Sequence, residues 1–307
     1  MDVSVIIVSY NTYTFTHEAV ASAFSATKDL DIEVIVVDNN SPDESAPRLK
    51  AAFANQNLRL TIIENEENAG FSAANNQGAA IASGRHLFFL NPDTIVHEGA
   101  INALAEFIAQ HPKAGAVGPH VLNTDGTNQV SVAYFTSGWR ILKHHLPFLN
   151  VFDGSAAERY PQKTKPVEVV KGCAIMIHRD TLKAVGGWDE RYFMYSEETE
   201  LCLALHNAGY TNYFIKEACI THHGGQSSMA YYAEQQVVQQ RSALQFLRRH
   251  HGLTTRMIHR ISGLIGFGAR ALIFPIAAIL RPSQAAGYKL RGEAASRLFR
   301  WFLIEYA

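Results

Sequence analysis

Val3-Ser4-Val5-Ile6-Ile7-Val8-Ser9-Tyr10-Asn11 opens the chain with a β-branched, almost unbroken apolar run that ends abruptly in polar residues. Such a run has no polar face to offer water. It therefore reads as a strand buried on both sides, the habit of parallel sheets covered by helices. Three more runs of the same kind follow, Glu33–Asp38, Leu58–Glu64 and Arg85–Asn91. Amphipathic stretches near Thr16–Ala26, Asp43–Ala54, Ser72–Ser83 and Glu98–Gln110 lie between and after them. The alternation predicts an α/β fold with a mostly parallel central sheet. Three strands end in polar tripeptides: Ser9-Tyr10-Asn11, Asp38-Asn39-Asn40 and Asn91-Pro92-Asp93. Ligands in open α/β sheets bind beyond the carboxyl ends of the strands, so these three are expected to meet in one site.

The rest of the chain is less regular. Val121–Pro166 reads as a long excursion, Val167–His178 as a strand, Glu197–Asn207 as a helix, Tyr213–Ile220 as a strand and Tyr231–His250 as a helix. The 307 residues, 47% hydrophobic and 18% charged, exclude a disordered chain and allow one large domain with an appendage. A division into 1–230 and a helical region 231–307 is expected. The net charge of −1 conceals an imbalance: Arg248 to Ala307 holds ten Lys/Arg against two acids. A cationic C-terminal end suits an anionic surface such as a membrane. Cys173, Cys202 and Cys219 show no paired spacing, which fits a reducing compartment. No secretory signal is expected, because Met1-Asp2 leads straight into the first strand without preceding positive charge.

Several segments carry polar chemistry. Asp38-Asn39-Asn40-Ser41-Pro42-Asp43 leaves a strand and enters a helix, with Ser41 or Asp43 as possible caps. Asn68-Ala69-Gly70-Phe71, followed by Asn75 and Gly78, puts a glycine at a helix start, where backbone can approach a phosphate. Asp93 presents one carboxylate at a strand tip. It is either a helix cap or, beside a diphosphate, a ligand for Mg²⁺ or Mn²⁺. Tyr195-Ser196-Glu197-Glu198-Thr199-Glu200 is an acidic helix start, which complements the dipole or supplies a general base. Gly186-Gly187-Trp188-Asp189-Glu190 precedes it, and His222-His223-Gly224-Gly225-Gln226-Ser227-Ser228 closes the later strand with two imidazoles.

Taken in order, these motifs resemble the family 2 glycosyltransferases of the GT-A fold, in particular bacterial rhamnosyltransferase-like members. The resemblance covers about residues 3–230. It implies that Ser9, Tyr10 and Asn11 border the nucleotide base, that Asp38 accepts from a pyrimidine imide, and that Asn40, Gly70, Asn75 and Asn91 belong to the donor site. Asp93 matches the last acid of the family's Asp-x-Asp motif, with Asn91 in place of the first acid and His222 completing the metal contacts. Glu198 matches the catalytic base, usually Asp, ahead of Glu197, Glu200 and Asp189. Trp188, Asp189 and Glu197 fall at the acceptor side. The implied reaction is inverting transfer from a nucleotide-diphospho-sugar, dTDP-L-rhamnose or a UDP-sugar, with Mg²⁺ or Mn²⁺, to a glycan or polyprenyl-diphosphate-linked acceptor in cell-surface polysaccharide synthesis.

Gly263–Leu280 is apolar apart from Arg270 but holds three glycines and Pro275. A spanning helix needs about 20 apolar residues and a central Arg is costly, so an interfacial anchor is the better reading. A helix packed on the domain or on a second copy is the alternative. The protein is expected in the cytoplasm, peripheral at the inner face of the membrane, with no nucleic-acid partner. Two other classes fit less well. A nucleotidyltransferase would carry a glycine-rich basic loop after the first strand, absent from Ser9–Thr16. A non-catalytic carbohydrate-binding protein gives no reason for Asp38, Asp93 and Glu198 to converge.

Overall fold

In the computed structural model, which describes residues 1–146, 160–224 and 232–306, the run Val3–Ser9 is strand β1 and every residue of it is buried. It pairs in parallel on both sides, with β2 (Ile32–Asp38) and with β4 (His86–Leu90), and β3 (Leu60–Glu64) extends the sheet beyond β2. Successive side chains serve opposite faces: Val5 and Ile7 join one apolar cluster, Ile6 and Val8 the other. Each Val or Ile fully buried this way stabilises the fold by roughly 1.5–3 kcal/mol. Helices α1 (Tyr13–Ser25), α2 (Ser45–Phe53), α3 (Phe71–Ile81) and α4 (Ala100–Gln110) cover the faces. Neither expected cap closes α2. Its N-cap is Glu44 in a left-handed conformation without a side-chain bond, because Ser41 is engaged by Asp38 while Asp43 Oδ1 accepts from Ser45 N at 3.1 Å.

The second half of the sheet departs from the expected pattern. Val167–His178 is not one strand but β8 (Lys165–Val167), β9 (Val169–Val170) and β10 (Ala174–His178), with a turn at Lys171-Gly172-Cys173. A charge is costly in a strand buried on both faces unless it is paired, and at this turn Lys171 is paired with Glu198. β10 runs antiparallel to β4, which brings that turn to the carboxyl end of β4. Strand β6 (Ala114–Leu122) went unread because Gly115, Gly118 and Pro119 interrupt its apolar pattern. Gly118 is required there, since a Cβ would sit 2.0 Å from Val170 Cγ1. β11 (Thr211–His222) lies parallel to β6 and antiparallel to the short β5 (Thr94–Val96). Among the described residues the main sheet has nine strands, in the order β3-β2-β1-β4-β10-β6-β11-β5 with β8 beside β11. The helix read at Glu197–Asn207 is α7 with those bounds, after the short α6 (Arg179–Ala184). β7 (Val132–Ala133) and β9 form a separate two-stranded ladder.

The chain divides into two units, residues 1–135 with 156–224 and residues 136–155 with 225–307. The second consists of α5 (Gly138–His145), α8 (Tyr232–His250), α9 (Leu253–Leu280) and α10 (Ala285–Arg300), followed by a π-helical turn at Trp301–Glu305. Its core joins Val237, Leu244, Phe267, Leu298, Trp301 and Phe302. The glycines inside α9 serve close packing: at Gly266 a Cβ would stand 2.2 Å from the carbonyl oxygen of His145. Tyr231, Gly225-Gln226-Ser227-Ser228 and the centre of the expected excursion lie outside the described residues.

Candidate active site

The parallel register sets Ser9 opposite Asp38, and the ends of β1, β2 and β4 open onto one edge. Backbone bonds tie the loops there together. Asn39 N donates to Ser9 O at 2.8 Å, Asn91 N to Cys173 O at 2.9 Å, and His223 N to Asp93 O at 2.9 Å. On the β1–β2 side, Asp38 receives both the amide of Ser41 at 3.0 Å and its hydroxyl, and the same hydroxyl oxygen accepts from Asn11 N at 2.9 Å. Asn11 and Asn40 both sit at positive φ, 56° and 63°, which Asn tolerates better than most residues. Asn40 Nδ2 reaches Glu66 O, while the Tyr10 ring is half exposed. Ser9 is buried and its hydroxyl bonds Thr12 and Thr16, and Asn75, also buried, donates to Phe71 O at 3.0 Å. These two side chains are engaged within the protein and hold the loops in place. Gly70 adopts φ 85° with Phe193 packed against it, so a side chain there would be strained and obstructed.

Asp93 and His222 meet across the β5–β11 ladder, Oδ1 to Nε2 at 3.2 Å. Gln129 decides the state of the imidazole. Its amide nitrogen donates to Asn123 Oδ1 at 2.8 Å and to His222 O at 3.0 Å, so its oxygen is what faces His222 Nδ1 at 2.6 Å. Nδ1 must therefore be the protonated nitrogen, leaving Nε2 and Asp93 Oδ1 as two lone pairs that face each other. Such an arrangement calls for a cation beside them, either a proton or a metal ion, and the bond from Nδ1 to a fixed acceptor is how metal-binding histidines are oriented. Burial works to raise the Asp93 carboxyl, but the hydrogen bond and charge of His222 outweigh it and hold it below the usual range. Among the described residues no group of three or more His, Cys, Asp or Glu converges. A pair of protein donors still fits Mg²⁺ or Mn²⁺, ions that fill the remaining positions with diphosphate oxygens and water.

The acidic helix start lies close by. Tyr195 and Ser196 occupy consecutive positive-φ positions, 68° and 67°, a conformation costly for such residues and typical of strained functional loops. The three first-turn glutamates of α7 are all buried, yet differently partnered. Glu200 accepts from the Tyr192 hydroxyl at 3.0 Å. Glu198 is ion-paired to Lys171 at 2.8 Å. Glu197 has a buried Oε2 without a partner, and burial first, then the charge of Glu198, push it well above the usual carboxylate range. Burial pushes the Cys173 thiol up to about 12, and the turn that holds it binds Asn91 N through Cys173 O and Glu198 through Lys171. Asp189 is paired with Arg191 at 2.6 Å. Trp188, expected beside the acceptor, lies inside the core, 2% exposed, with its ring edge-on to Phe71 and Phe89. The sequence reading missed Lys171, Gln129 and Asn76, whose amide accepts from Trp188 N and donates to Trp188 O, each at 2.9 Å. Only Lys171 carried a signal, a charge within an apolar run.

The sheet, its order and the polar edge are those of the GT-A class of sugar transferases. Solved structures that share the fold include the mannosyltransferase PcManGT from Pyrobaculum calidifontis in complex with GDP-Man and Mn²⁺, with a TM-score of 0.60 at 18% identity over 99% of this chain and 87% of that one. GalNAc-T7 with UDP, GalNAc and Mn²⁺ gives a TM-score of 0.58 at 17% identity, over 72% of this chain and 44% of that one. The model of Glycosyl transferase family 2 matches residues 4–185, and the chain belongs to that family of glycosyltransferases. It is 27% identical over 250 residues to the N-acetylglucosaminyl-diphospho-decaprenol L-rhamnosyltransferase of Mycobacterium tuberculosis, covering 76% of this chain and 80% of that one. It is 26% identical to the low-salt glycan biosynthesis hexosyltransferase Agl10 of Haloferax volcanii, over 66% and 60%. An enzyme of this family is neither a nucleotidyltransferase nor a non-catalytic binding protein, so those readings fall.

Proposed function

We propose that the protein is an inverting transferase that moves a sugar from a nucleotide-diphospho-sugar to a hydroxyl of a glycan or polyprenyl-diphosphate-linked acceptor in bacterial cell-surface polysaccharide synthesis. dTDP-L-rhamnose is the first donor to test and UDP-sugars the next, in keeping with the rhamnosyltransferase relative and with Asp38 as a partner for a pyrimidine imide. The observation that carries the reading is that Glu198, a buried carboxylate, is ion-paired to Lys171 on the turn whose Cys173 O accepts from Asn91 N, two residues before Asp93.

Asp38, Asn11, Asn40 and Gly70 line the donor side in this reading, and Asp93 with His222 would hold Mg²⁺ or Mn²⁺. Such an ion, when bound, offsets the charge that gathers on the departing diphosphate. Glu198 takes the proton of the acceptor hydroxyl. The hydroxyl oxygen bonds to the anomeric carbon from the face opposite the leaving group, and the electron pair of the broken C–O bond leaves with the nucleoside diphosphate. Glu197 and Asp189 border the acceptor. A placed general base contributes roughly 10²–10⁴-fold to rate. Glu198→Gln is therefore expected to lose at least about 10²-fold in transfer while still binding donor, measured by release of nucleoside diphosphate and by ligand-induced thermal shift. Turnover near that of the parent would reject Glu198 as the base.

The 1–230 part acts as the catalytic domain in this reading, and 231–307 as a helical region for peripheral contact with the inner face of the membrane or for pairing with a second copy. Helix α9 supports it: an 18-residue window has mean hydropathy 1.9 and only 22% of it is buried.

A further inference from the structure

Glu197 and Glu198 are sequence neighbours, equally buried at 7% exposure, on the first turn of the same helix. Burial disfavours the charged form of Glu197, and the charge of the adjacent Glu198 disfavours it further. What separates the two residues is a cation. Lys171 Nζ donates to Glu198 Oε1 at 2.8 Å, while Glu197 Oε2 is buried with no hydrogen-bond partner among the described residues. We propose that Lys171 is a positioning residue that selects Glu198 rather than Glu197 as the ionised member of the pair and aims it, and this rests on the assignment of Glu198 as the base.

The lysine is built in, not incidental. Its backbone amide donates to Ser131 O at 3.1 Å, fixing the turn between β9 and β10. Gly172 lies against the glutamate, a Cβ there standing 3.4 Å from Glu198 Cβ, so the turn cradles this side chain closely. The pair is sided as well as close. Lys171 binds Oε1, and no hydrogen bond to Oε2 is found among the described residues, so one oxygen is anchored and the other is left for an acceptor hydroxyl. The lysine side chain is itself 39% exposed, so water can cover its charge when Glu198 takes up a proton during the reaction. The charge of Glu198 holds the Lys171 ammonium above its ordinary range, and Glu197 is raised above the ordinary carboxylate range, through burial first and then through Glu198.

The test uses the full chain with selectively ¹³C-carboxyl-labelled glutamate, resonances assigned with Glu197→Gln and Glu198→Gln. In the parent protein Glu197 is expected to keep its proton above the ordinary carboxyl range. In Lys171→Met the Glu198 midpoint is expected to rise by about 1–3 units, the usual effect of a close opposite charge. Lys171→Arg, which keeps the charge, should hold it near the parent value. With dTDP-L-rhamnose as donor, or UDP-glucose if that is what is hydrolysed, Lys171→Met should move the acid limb of kcat/KM upward by a similar amount. It should also lower kcat at neutral pH by more than about 10-fold with donor KM little changed, and Lys171→Arg should recover most of that loss. An unmoved Glu198 midpoint in Lys171→Met overturns the proposal, as does equal loss of activity in the Arg and Met variants. Full activity of Glu198→Gln would instead remove the assignment of the base, and the carboxyl titration would still report on Lys171.

Discussion

In the proposed metal site Asp93 is the one carboxylate, with Asn91 at the position where the family resemblance implies a second acid. His222 adds a nitrogen donor 3.2 Å away, and Gln129 commits the other ring nitrogen to donating. Removing the group that orients a ligating histidine typically costs about 10–100-fold in metal affinity. Gln129→Leu is therefore expected to weaken Mn²⁺ binding by that factor, and Asp93→Asn to weaken it at least as much. The readout is the extra thermal stabilisation that Mn²⁺ gives in the presence of UDP or dTDP. A Gln129→Leu protein with an unchanged Mn²⁺ titration would separate His222 from the metal. None of these three residues is eye-catching alone. Asp93 could be noticed as an acid at a strand tip, His222 as one of two imidazoles, and Gln129 not at all, since its role depends on a contact with a residue 93 positions away.

Among the elements, β1, β2 and β4 were legible as short, almost unbroken apolar runs ending in polar residues, and α7 because its buried Leu201, Cys202 and Leu205 recur at helical spacing. β6 and the Lys171 turn were not, because glycine and lysine interrupt the apolar pattern at the places where packing or an ion pair requires them. Helices α5 and α9 pose a different problem. His145 on α5 and His259 on α9 are buried with ring centroids 5.1 Å apart. Burial first, then the charge of His259, lowers His145 to about 2, and burial lowers His259 to about 4. In the unfolded chain both titrate near 6.5. Stability is thus full above about pH 6.5 and falls as the pH drops from there towards the folded values, because only the unfolded state takes up the protons. At pH 5.5 the pair should cost about 3 kcal/mol relative to pH 8. Melting of the full chain across this range is expected to show the loss, and a His145→Gln/His259→Gln variant to show less of it. An identical pH slope in the variant would refute the account. His86, lowered to about 4 chiefly by burial, adds in the same sense.

For the whole molecule, the outstanding surface is that of α9. Met257, Ile261, Ile265, Leu272, Ile276 and Ile279 are each more than half exposed and recur at spacings of three, four and seven, a single helical stripe. Soluble monomers rarely leave so continuous an apolar surface uncovered. Arg270 does not join the stripe: its guanidinium reaches back to His144 O at 3.4 Å and lies 5.1 Å from the Phe267 ring centroid. The ten Lys/Arg against two acids between Arg248 and Ala307 support the proposed contact with an anionic bilayer. Co-sedimentation with vesicles containing about a third phosphatidylglycerol should exceed that with pure phosphatidylcholine, weaken in salt, and be lost in Leu272→Glu/Ile276→Glu. A dimer in solution with no vesicle binding would assign the stripe to a second copy.

Residue order alone determined the alternation of strands and helices and the polar strand ends, because apolar patterning and strand-end chemistry are local properties; the order of its motifs carried the resemblance to the family. It could not say which polar group answers which. Lys171 meets Glu198 across 27 positions, Gln129 meets His222 across 93, and Asn76 holds Trp188 across 112. A hydrophobic pattern states which face of an element turns inward, not which neighbour it will meet there. Only the tertiary structure brings the distant partners together, and the partners decide which carboxyl is ion-paired, which imidazole nitrogen faces Asp93 and which tryptophan is core.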